Sequence, residues 1–365
     1  MSDDRIVAGL AREEDKDRIL ELNVLEYGPR DILAAREDFA WRYNQNPAGA
    51  ATIAVIRNNR NEVVGFIWTV PLRIRVRGLK CSGATGTNLV IHPELRNTFA
   101  YTKLIRRFQQ ILRDNQIPVH YSFVSEERYR RQRTAASQSV ATIPLLAKPL
   151  DFRSLSEAYF DKKWKRILFS RVSPMARRVF NRPWGLDLGQ EISVQAVDGF
   201  DSSFDTFWRK VENRSTAAVI RDRAYLAWRF SNVSSRRYHV LVAHAGDQML
   251  GYAVLRCATI RRVKVGLVMD LLTAGDSLGE IAGARLMVEA EAYFRAQEMS
   301  LAAGLMVSSA VEYRILRRAG YRPVPRALAP RVFRFALFVH KTPECDLTWL
   351  SARDWFITLA DHESL

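Results

Sequence analysis

Two stretches of the sequence carry the same phrase far apart: REDFAWRY at residues 36–43 and RDRAYLAWRF at residues 221–230. Each contains an arginine, an acid, aromatic residues and an alanine, and each ends on a Trp-Arg-aromatic triplet. Matching Asp38 with Asp222 gives an offset of 184 residues. A phrase repeated at this distance suggests that the chain contains two copies of one fold.

The sequence downstream of each phrase supports a duplication. Residues 46–70, NPAGAATIAVIRNNRNEVVGFIWTV, and residues 234–255, SSRRYHVLVAHAGDQMLGYAVL, both predict a strand, a polar turn and a second strand. Gly65 and Gly251 hold equivalent places in the second strands. Both halves continue with a basic strand, an apolar strand, a long helix, another strand and a further helix. We therefore predict an α/β (α+β) protein with two tandem domains, each a mixed, mostly antiparallel sheet flanked by helices.

The repeat also predicts the domain boundaries. We expect a first domain at residues 1–150, a basic linker at 151–190, a second domain at 191–342 and a C-terminal tail at 343–365 that packs on the second domain.

The repeated phrase itself has a structural and a functional interpretation. In the structural one, Trp41 and Trp228 bury a large apolar area while the acid and the arginine pair or cap a short helix. In the functional one, the same residues contact a substrate.

Bulk composition predicts a folded protein that binds anions. Of 365 residues, 48% are apolar and 26% charged, which is typical of a globular chain.

The three cysteines, Cys81, Cys257 and Cys345, form no C-x-x-C pair, which indicates a reducing compartment and neither a disulfide framework nor a zinc site. No apolar run reaches the roughly 18–20 residues that span a bilayer, and the acidic start is unlike a secretory signal. We expect a cytoplasmic, metal-free protein whose net charge of +16 attracts polyanions.

One segment carries a resemblance to a known family. Residues 87–105, TNLVIHPELRNTFAYTKLI, place an apolar strand, a short loop and the start of a helix in succession. This arrangement resembles the loop of the GNAT N-acyltransferase superfamily, in a tandem form like that of some bacterial envelope and polysaccharide acyltransferases. The resemblance implies acetyl-CoA or another acyl-CoA as cosubstrate, with its pyrophosphate at the helix N-terminus. The implied cofactor-binding residues are Val90, Ile91, His92, Arg96, Asn97, Thr98, Phe99, Ala100 and Tyr101.

The motif departs from the family pattern in both halves. Phe99 and Tyr101 stand where the family has small residues, and bulky side chains there could obstruct a phosphate. In the second half, LGEIAG at 278–283 aligns with the loop and keeps only Gly283. Because the first half retains Arg96, we expect the first half to bind CoA and the second to shape the acceptor cleft.

Three residues are candidates for catalysis. Asp270 lies in the apolar strand VGLVMDLL, with Asn88 as its equivalent; it is either a general base with a raised pKa or the partner of a neighbouring arginine. Glu126 ends a strand and either faces the substrate or caps the next helix. Tyr313 lies one turn before the position of the family's proton-donating tyrosine, and it either replaces that residue or belongs to the surface or the core.

The partners follow from the resemblance and the charge. The tandem form suggests an amino sugar or other envelope precursor as acceptor, either a small molecule or a lipid-linked glycan. The basic, Trp-containing segment 160–184 fits the anionic inner face of a membrane, or else a solvated interdomain helix. Two alternatives stay open: a degenerate, non-catalytic binding protein, and a Fem-like transferase that uses aminoacyl-tRNA. We expect no other nucleic acid.

Overall fold

The computed structural model describes residues 6–29, 31–96, 98–125, 138–159, 192–231, 236–340, 342 and 347–362. The chain forms two compact units. The first comprises Met1–Ala141 and Arg334–Asp354, and the second comprises Thr142–Phe333 and Trp355–Glu363.

The first unit is a mixed sheet covered by helices. Its strands follow the order β1-β2-β3-β4-β5-β15-β6; neighbours from β1 to β4 are antiparallel, β4 and β5 are parallel, and β15 is antiparallel to β5. The core lies between α3 and the sheet, where Leu104, Phe108 and Leu112 are buried. The elements are β1 (Val7–Leu10), α1 (Lys16–Tyr27), α2 (Arg36–Asn44), β2 (Thr52–Arg57), β3 (Val63–Val76), β4 (Leu79–Ile91), α3 (Ala100–Asp114), β5 (Val119–Val124), β6 (Gln138–Thr142) and β15 (Arg334–Val339).

The second unit repeats this plan. Its sheet has the strand order β14-β7-β13-β12-β11-β10-β8, in which β12 and β13 are the parallel pair. The elements are β7 (Leu145–Pro149), α4 (Phe152–Tyr159), β8 (Ser193–Val197), α5 (Ser202–Val211), β9 (Ala217–Val219), α6 (Arg223–Arg229), β10 (His239–Ala245), β11 (Gln248–Ile260), β12 (Val263–Thr273), α7 (Ser277–Ala296), β13 (Leu301–Leu305), α8 (Val311–Arg318) and β14 (Arg322–Pro323).

In the parallel strand pair and the long helix, the two units match residue by residue at an offset of 182. Ala84 pairs with His120 in the first sheet, and Gly266 pairs with Ala302 in the second. At the end of the long helix, the Ile117 amide donates to the Leu112 carbonyl, as the Met299 amide donates to that of Phe294. The predicted fold class, two tandem mixed sheets flanked by helices, is confirmed.

Each sheet takes one strand from the segment that follows the other repeat. Strand β7 follows β6 in sequence but lies between β13 and β14, and β15 follows β14 but lies between β5 and β6. The predicted boundaries at residues 150 and 342 did not include this exchange.

The repeated phrase forms α2 and α6. Trp41 and Trp228 are buried, as are Arg42 and Arg229, so the phrase belongs to the core of each unit. Asp222 caps α6 by accepting a hydrogen bond from the Tyr225 amide at 2.9 Å.

The predicted equivalence of Asp38 and Asp222 was wrong by three residues. The N-cap of α2 is Ala35, which is therefore the equivalent of Asp222. Asp38 lies within α2, and its side chain is outside the described part of the structure.

Candidate functional site

In both units the parallel strand pair separates before its first strand ends. In the first sheet, β4 pairs with β5 only at Ala84 and Thr85, although β4 continues to Ile91. In the second, the pairing of β12 with β13 ends at Val268 and β12 continues to Thr273. Strands that diverge leave backbone N–H and C=O groups without a ladder partner. We call these openings the first wedge, beside residues 86–91, and the second wedge, beside residues 269–273.

The second wedge is filled by residues 355–362 of the same unit. Thr358 forms an antiparallel bridge with Met306, just beyond β13, and the Val307 amide donates to the Ile357 carbonyl at 3.2 Å. Trp355 and Ile357 are almost completely buried. The polypeptide itself therefore occupies the space between β12 and β13.

The predicted base Asp270 lies in this filled wedge with no exposed surface. Its carboxylate accepts hydrogen bonds from the Tyr252 hydroxyl at 2.8 Å, the Thr358 hydroxyl at 2.8 Å and Arg221 Nε at 3.1 Å. These partners explain why an acid lies within an apolar strand, because Asp270 is the counterion of the buried Arg221. The geometry gives Asp270 no contact with a cleft, and it lends no support to a role as a base.

A second acid completes the network around Arg221. Asp361 accepts from Arg221 Nη2 at 2.8 Å and from the Thr358 amide at 2.9 Å. Burial raises the pKa of Asp361, an effect that the Arg221 charge opposes. One arginine thus holds two carboxylates, from β12 and from the segment that fills the wedge.

A further acid, Glu312, forms hydrogen bonds at the end of β12. The Glu312 carboxylate on α8 accepts from the Thr273 amide and hydroxyl, both at 3.0 Å, and from Arg214 Nη1 at 2.9 Å. Arg214 also donates to the Thr273 carbonyl. The last residue of β12 therefore has its backbone groups bonded within the unit.

The first wedge differs at the equivalent positions. Thr87, Asn88 and Leu89 are partly exposed, and among the described residues no segment pairs with β4 on the side of the wedge beyond Thr85. The Ser122 hydroxyl donates to the Gly86 carbonyl at 2.7 Å where the strands separate. Asn88 donates to Asn23 Oδ1 at 3.2 Å, and its own Oδ1 is buried without a partner in the described part of the chain. The first wedge thus retains polar groups that a ligand could bond.

The helix that follows each wedge begins differently. Phe99 is the N-cap of α3, is 68% exposed and supplies no side-chain cap. Asp276 is the N-cap of α7 and accepts from the Gly279 amide at 2.7 Å. A helix N-terminus attracts anions, and α7 has a carboxylate of its own there. Residues 278–283, aligned by sequence with the CoA loop, are already helical.

The predicted cofactor residues of the first unit surround the end of β4. Arg96 donates from Nε to the Ile91 carbonyl at 3.1 Å and forms an ion pair with Glu26. Tyr101 is partly buried and packs against the core of the first unit. Val90, Ile91 and Ala100 are buried, and His92 and Thr98 are half-buried.

Several predicted sites cannot be placed. Asn97, Glu126 and the basic segment 160–184 lie outside the described residues.

Tyr313 is half-buried on α8, next to Glu312. Within the described ranges, no group of three or more His, Cys, Asp or Glu could hold a metal ion, and no helix is long and apolar enough to cross a membrane.

Sequence reasoning missed the residues that fill the second wedge. One signal was available, because Thr358 and Asp361 form a capping box of the T-x-x-D type. No sequence pattern marks Arg221 or Glu312 as the partners of β12, since these contacts join residues distant in the chain.

Comparison with known proteins shows the fold. No protein-family model matches the sequence, and no curated protein matches it. Similar solved structures include a GCN5-related N-acetyltransferase from Anabaena variabilis, 13% identical with a TM-score of 0.60 over 91% of this chain and 72% of that one. Another is Saccharomyces cerevisiae N-myristoyltransferase with bound myristoyl-CoA, 14% identical with a TM-score of 0.59 over 93% of this chain and 83% of that one. A probable N-acyltransferase from Enterococcus faecalis is 10% identical, with a TM-score of 0.58 over 91% and 72%. The chain therefore has the fold of the GCN5-related N-acyltransferases, built from two mixed sheets.

Proposed function

We propose that this protein is an acyl-CoA-dependent N-acyltransferase whose first wedge binds the cosubstrate. One observation carries the proposal: the second wedge is filled by residues 355–362, whereas no described segment pairs with β4 in the first. The similar structures support the reaction class, since they are N-acetyl- and N-myristoyltransferases and one of them holds myristoyl-CoA.

The first wedge offers two kinds of contact to an acyl-CoA, backbone hydrogen bonds and a helix start. The separated part of β4 presents backbone groups to the amides of the pantetheine arm. The positive end of the α3 dipole lies at the start of that helix, where it attracts a pyrophosphate. Phe99 is exposed and Tyr101 packs on the core.

The reaction needs few side chains. The acceptor's amine attacks the thioester carbonyl, the C–S bond breaks, the amine loses a proton and the CoA thiolate gains one. Holding the two reactants in line supplies much of the rate, and a backbone N–H can stabilise the oxyanion. For the acceptor we propose an amino sugar or other envelope precursor, either a small molecule or a lipid-linked glycan, on the basis of the sequence resemblance.

The test uses the difference between the two helix starts. Phe99→Asp copies the Asp276 cap of the second unit, and Phe99→Asn caps the helix without a charge. We expect wild type to bind acetyl-CoA or myristoyl-CoA at a single site in calorimetric titrations at two salt concentrations. Phe99→Asp should weaken binding about tenfold or more through repulsion of the pyrophosphate, and Phe99→Asn should weaken it much less.

Two outcomes would count against the proposal. If Phe99→Asp binds as tightly as wild type, the cosubstrate does not use the first wedge. If wild type shows no binding, or only heat that disappears at higher salt, the fold serves a non-catalytic binding protein or a tRNA-dependent transferase. A salt-dependent mobility shift with tRNA would then favour the latter.

A further inference from the structure

The hairpin that joins β3 to β4 is basic and apolar at its tip. Arg77 and Gly78 form a two-residue turn in which both have a positive φ, 45° and 88°, as in the tight turns that suit hairpins. Leu79 and Lys80 begin β4 and are exposed with the turn. Leu79 is 61% exposed, although it pairs across the turn with Val76, which is buried.

Trp349 lies against this turn. The central guanidinium carbon of Arg77 is 4.1 Å from the centroid of the Trp349 ring, which is a cation–π contact. Trp349 is 44% exposed and belongs to the same unit as the hairpin. We call Arg77, Leu79, Lys80 and Trp349 the hairpin patch.

The equivalent turn of the second unit shows that this exposure is not forced by the fold. Residues 261 and 262 also form a two-residue turn with positive φ, 47° and 71°, between β11 and β12. Val263 takes the place of Leu79, since each is the first residue after its turn. Val263 is only 5% exposed. The same hairpin can therefore bury an apolar side chain at this position.

The charges of the two hairpins differ as well. Lys264, the equivalent of Lys80, forms an ion pair with Glu298 at 2.9 Å. In the ranges that the structure describes, Arg77 contacts Trp349, and neither Arg77 nor Lys80 has an acidic partner. The hairpin patch therefore keeps its positive charge beside exposed apolar surface.

Exposed apolar residues next to cations are the composition of surfaces that lie on a bilayer. An aliphatic side chain enters the boundary of the acyl chains, a tryptophan lies at the level of the headgroups, and cations meet the lipid phosphates. A nucleic acid offers phosphates but no apolar phase for Leu79. We propose that the hairpin patch docks the protein on a membrane surface that contains anionic phospholipid. The net charge of +16 complements such a surface, and the docking does not depend on the proposed acyltransferase activity.

The experiment measures co-sedimentation of the full chain with two kinds of vesicle, phosphatidylcholine alone and phosphatidylcholine with an equal part of phosphatidylglycerol. We expect wild type to bind the anionic vesicles far more tightly than the neutral ones, because the cations are attracted by the negative surface potential. Binding should weaken as salt is added but persist at physiological salt, since burial of Leu79 is not screened.

A pair of variants tests the charge of the patch. Arg77→Gln should weaken binding to the anionic vesicles about fivefold, which is the contribution of one basic side chain near a membrane surface. Arg60→Gln is the matched control and should bind as wild type does. It removes an equal, exposed charge of the same unit from the loop before β3, whereas Arg77 follows the other end of that strand.

A second pair tests the apolar part and keeps every charge. Leu79→Ser should weaken binding severalfold, because the leucine no longer enters the acyl boundary. Leu328→Ser removes a leucine of the second unit that is 64% exposed, and it should bind as wild type does. All four altered side chains are exposed, so each variant should unfold in urea at the midpoint of wild type.

Three results would overturn the proposal. If wild type binds neither vesicle, the patch is not a membrane site. If Arg77→Gln and Arg60→Gln bind equally, the net charge of the chain accounts for the binding. If Leu79→Ser binds as wild type does and Arg77→Gln alone loses a mobility shift with tRNA, the patch is a nucleic-acid site.

Discussion

The two wedges show how one fold can be used in two ways within a single chain. Both arise where a parallel strand pair separates, and both lead into a long helix. In the second unit, residues 355–362 fill the opening and a buried arginine ties them to β12. In the first unit, the equivalent stretch of β4 is partly exposed and the helix start has no acidic cap. Duplication lets one copy become structural while the other, as far as the described residues extend, keeps its opening.

The largest expected effect comes from breaking the network of the second wedge. Asp270→Ala removes one of the two carboxylates that neutralise Arg221 and takes away the partner of the Tyr252 hydroxyl. Loss of one member of a buried ion pair costs about 3–5 kcal/mol, so the urea midpoint should fall strongly. Glu298→Gln breaks the exposed pair with Lys264 and should leave the midpoint unchanged.

A second variant, Asp270→Asn, distinguishes a structural role of Asp270 from a catalytic one. If Asp270→Asn folds with the stability of wild type, binds acyl-CoA and loses only turnover, Asp270 acts as a base and the second wedge holds a reacting group. Loss of stability with normal CoA binding by the folded fraction would support a structural role.

The helix–sheet contact gives a prediction of intermediate size. A Cβ on Gly266 would overlap the Phe294 ring, whereas the equivalent residues of the first unit, Ala84 and Leu112, share one core. Gly266→Ala should therefore cost about 1–3 kcal/mol through overpacking. Adding Phe294→Leu recreates the pair of the first unit and should recover most of the loss, as urea unfolding would show. If the double variant is no more stable than Gly266→Ala, the pair Gly266 and Phe294 is not equivalent to the pair Ala84 and Leu112.

A comparable effect is expected from one hydroxyl of the filling segment. Thr358→Val keeps the shape but removes the group that donates to Asp270 at 2.8 Å and accepts from the Ala360 amide at 3.1 Å. Losing both buried bonds, with the Ala360 amide left without its acceptor, should cost about 1–3 kcal/mol in urea unfolding. Thr206→Val, which loses an exposed hydroxyl on α5, is the control. An unchanged midpoint in Thr358→Val would mean that Arg221 alone holds the segment.

The sequence predicted the repeat well because local pattern determines it. Strand alternation, turn residues and the long helix recur at a near-constant offset, and Trp41 and Trp228 are buried as their pattern indicated. The strand exchange could not be predicted, because β7 and β15 satisfy the same alternation in either sheet. The filling of the second wedge depends on contacts such as Thr358 with Asp270, which are 88 residues apart. Side-chain pairing over such distances leaves no periodic signal.

The first unit has its own buried ion pair, and it predicts a pH dependence. Arg57 donates two hydrogen bonds to Asp15, at 2.7 and 2.6 Å, and the Arg12 amide donates a third at 2.6 Å. Burial raises the pKa of Asp15, but the bonds from Arg57 and Arg12 outweigh it and hold this pKa below its ordinary value. The pair therefore stabilises the folded state fully above the unfolded pKa of about 3.9. That stability is lost as the pH falls through the folded pKa.

Comparing wild type with Asp15→Asn isolates this contribution. The difference in unfolding free energy should be constant from neutral pH down to about pH 5 and should shrink below about pH 4. Asp361 in the second unit should behave in the opposite way, because its folded pKa is raised: its carboxylate disfavours folding as the pH rises above about 3.9. Urea unfolding of wild type, Asp15→Asn and Asp361→Asn across pH 3–7 gives both slopes. If both differences shrink on acidification, Arg221 outweighs burial at Asp361, and the two ion-paired sites respond to pH alike.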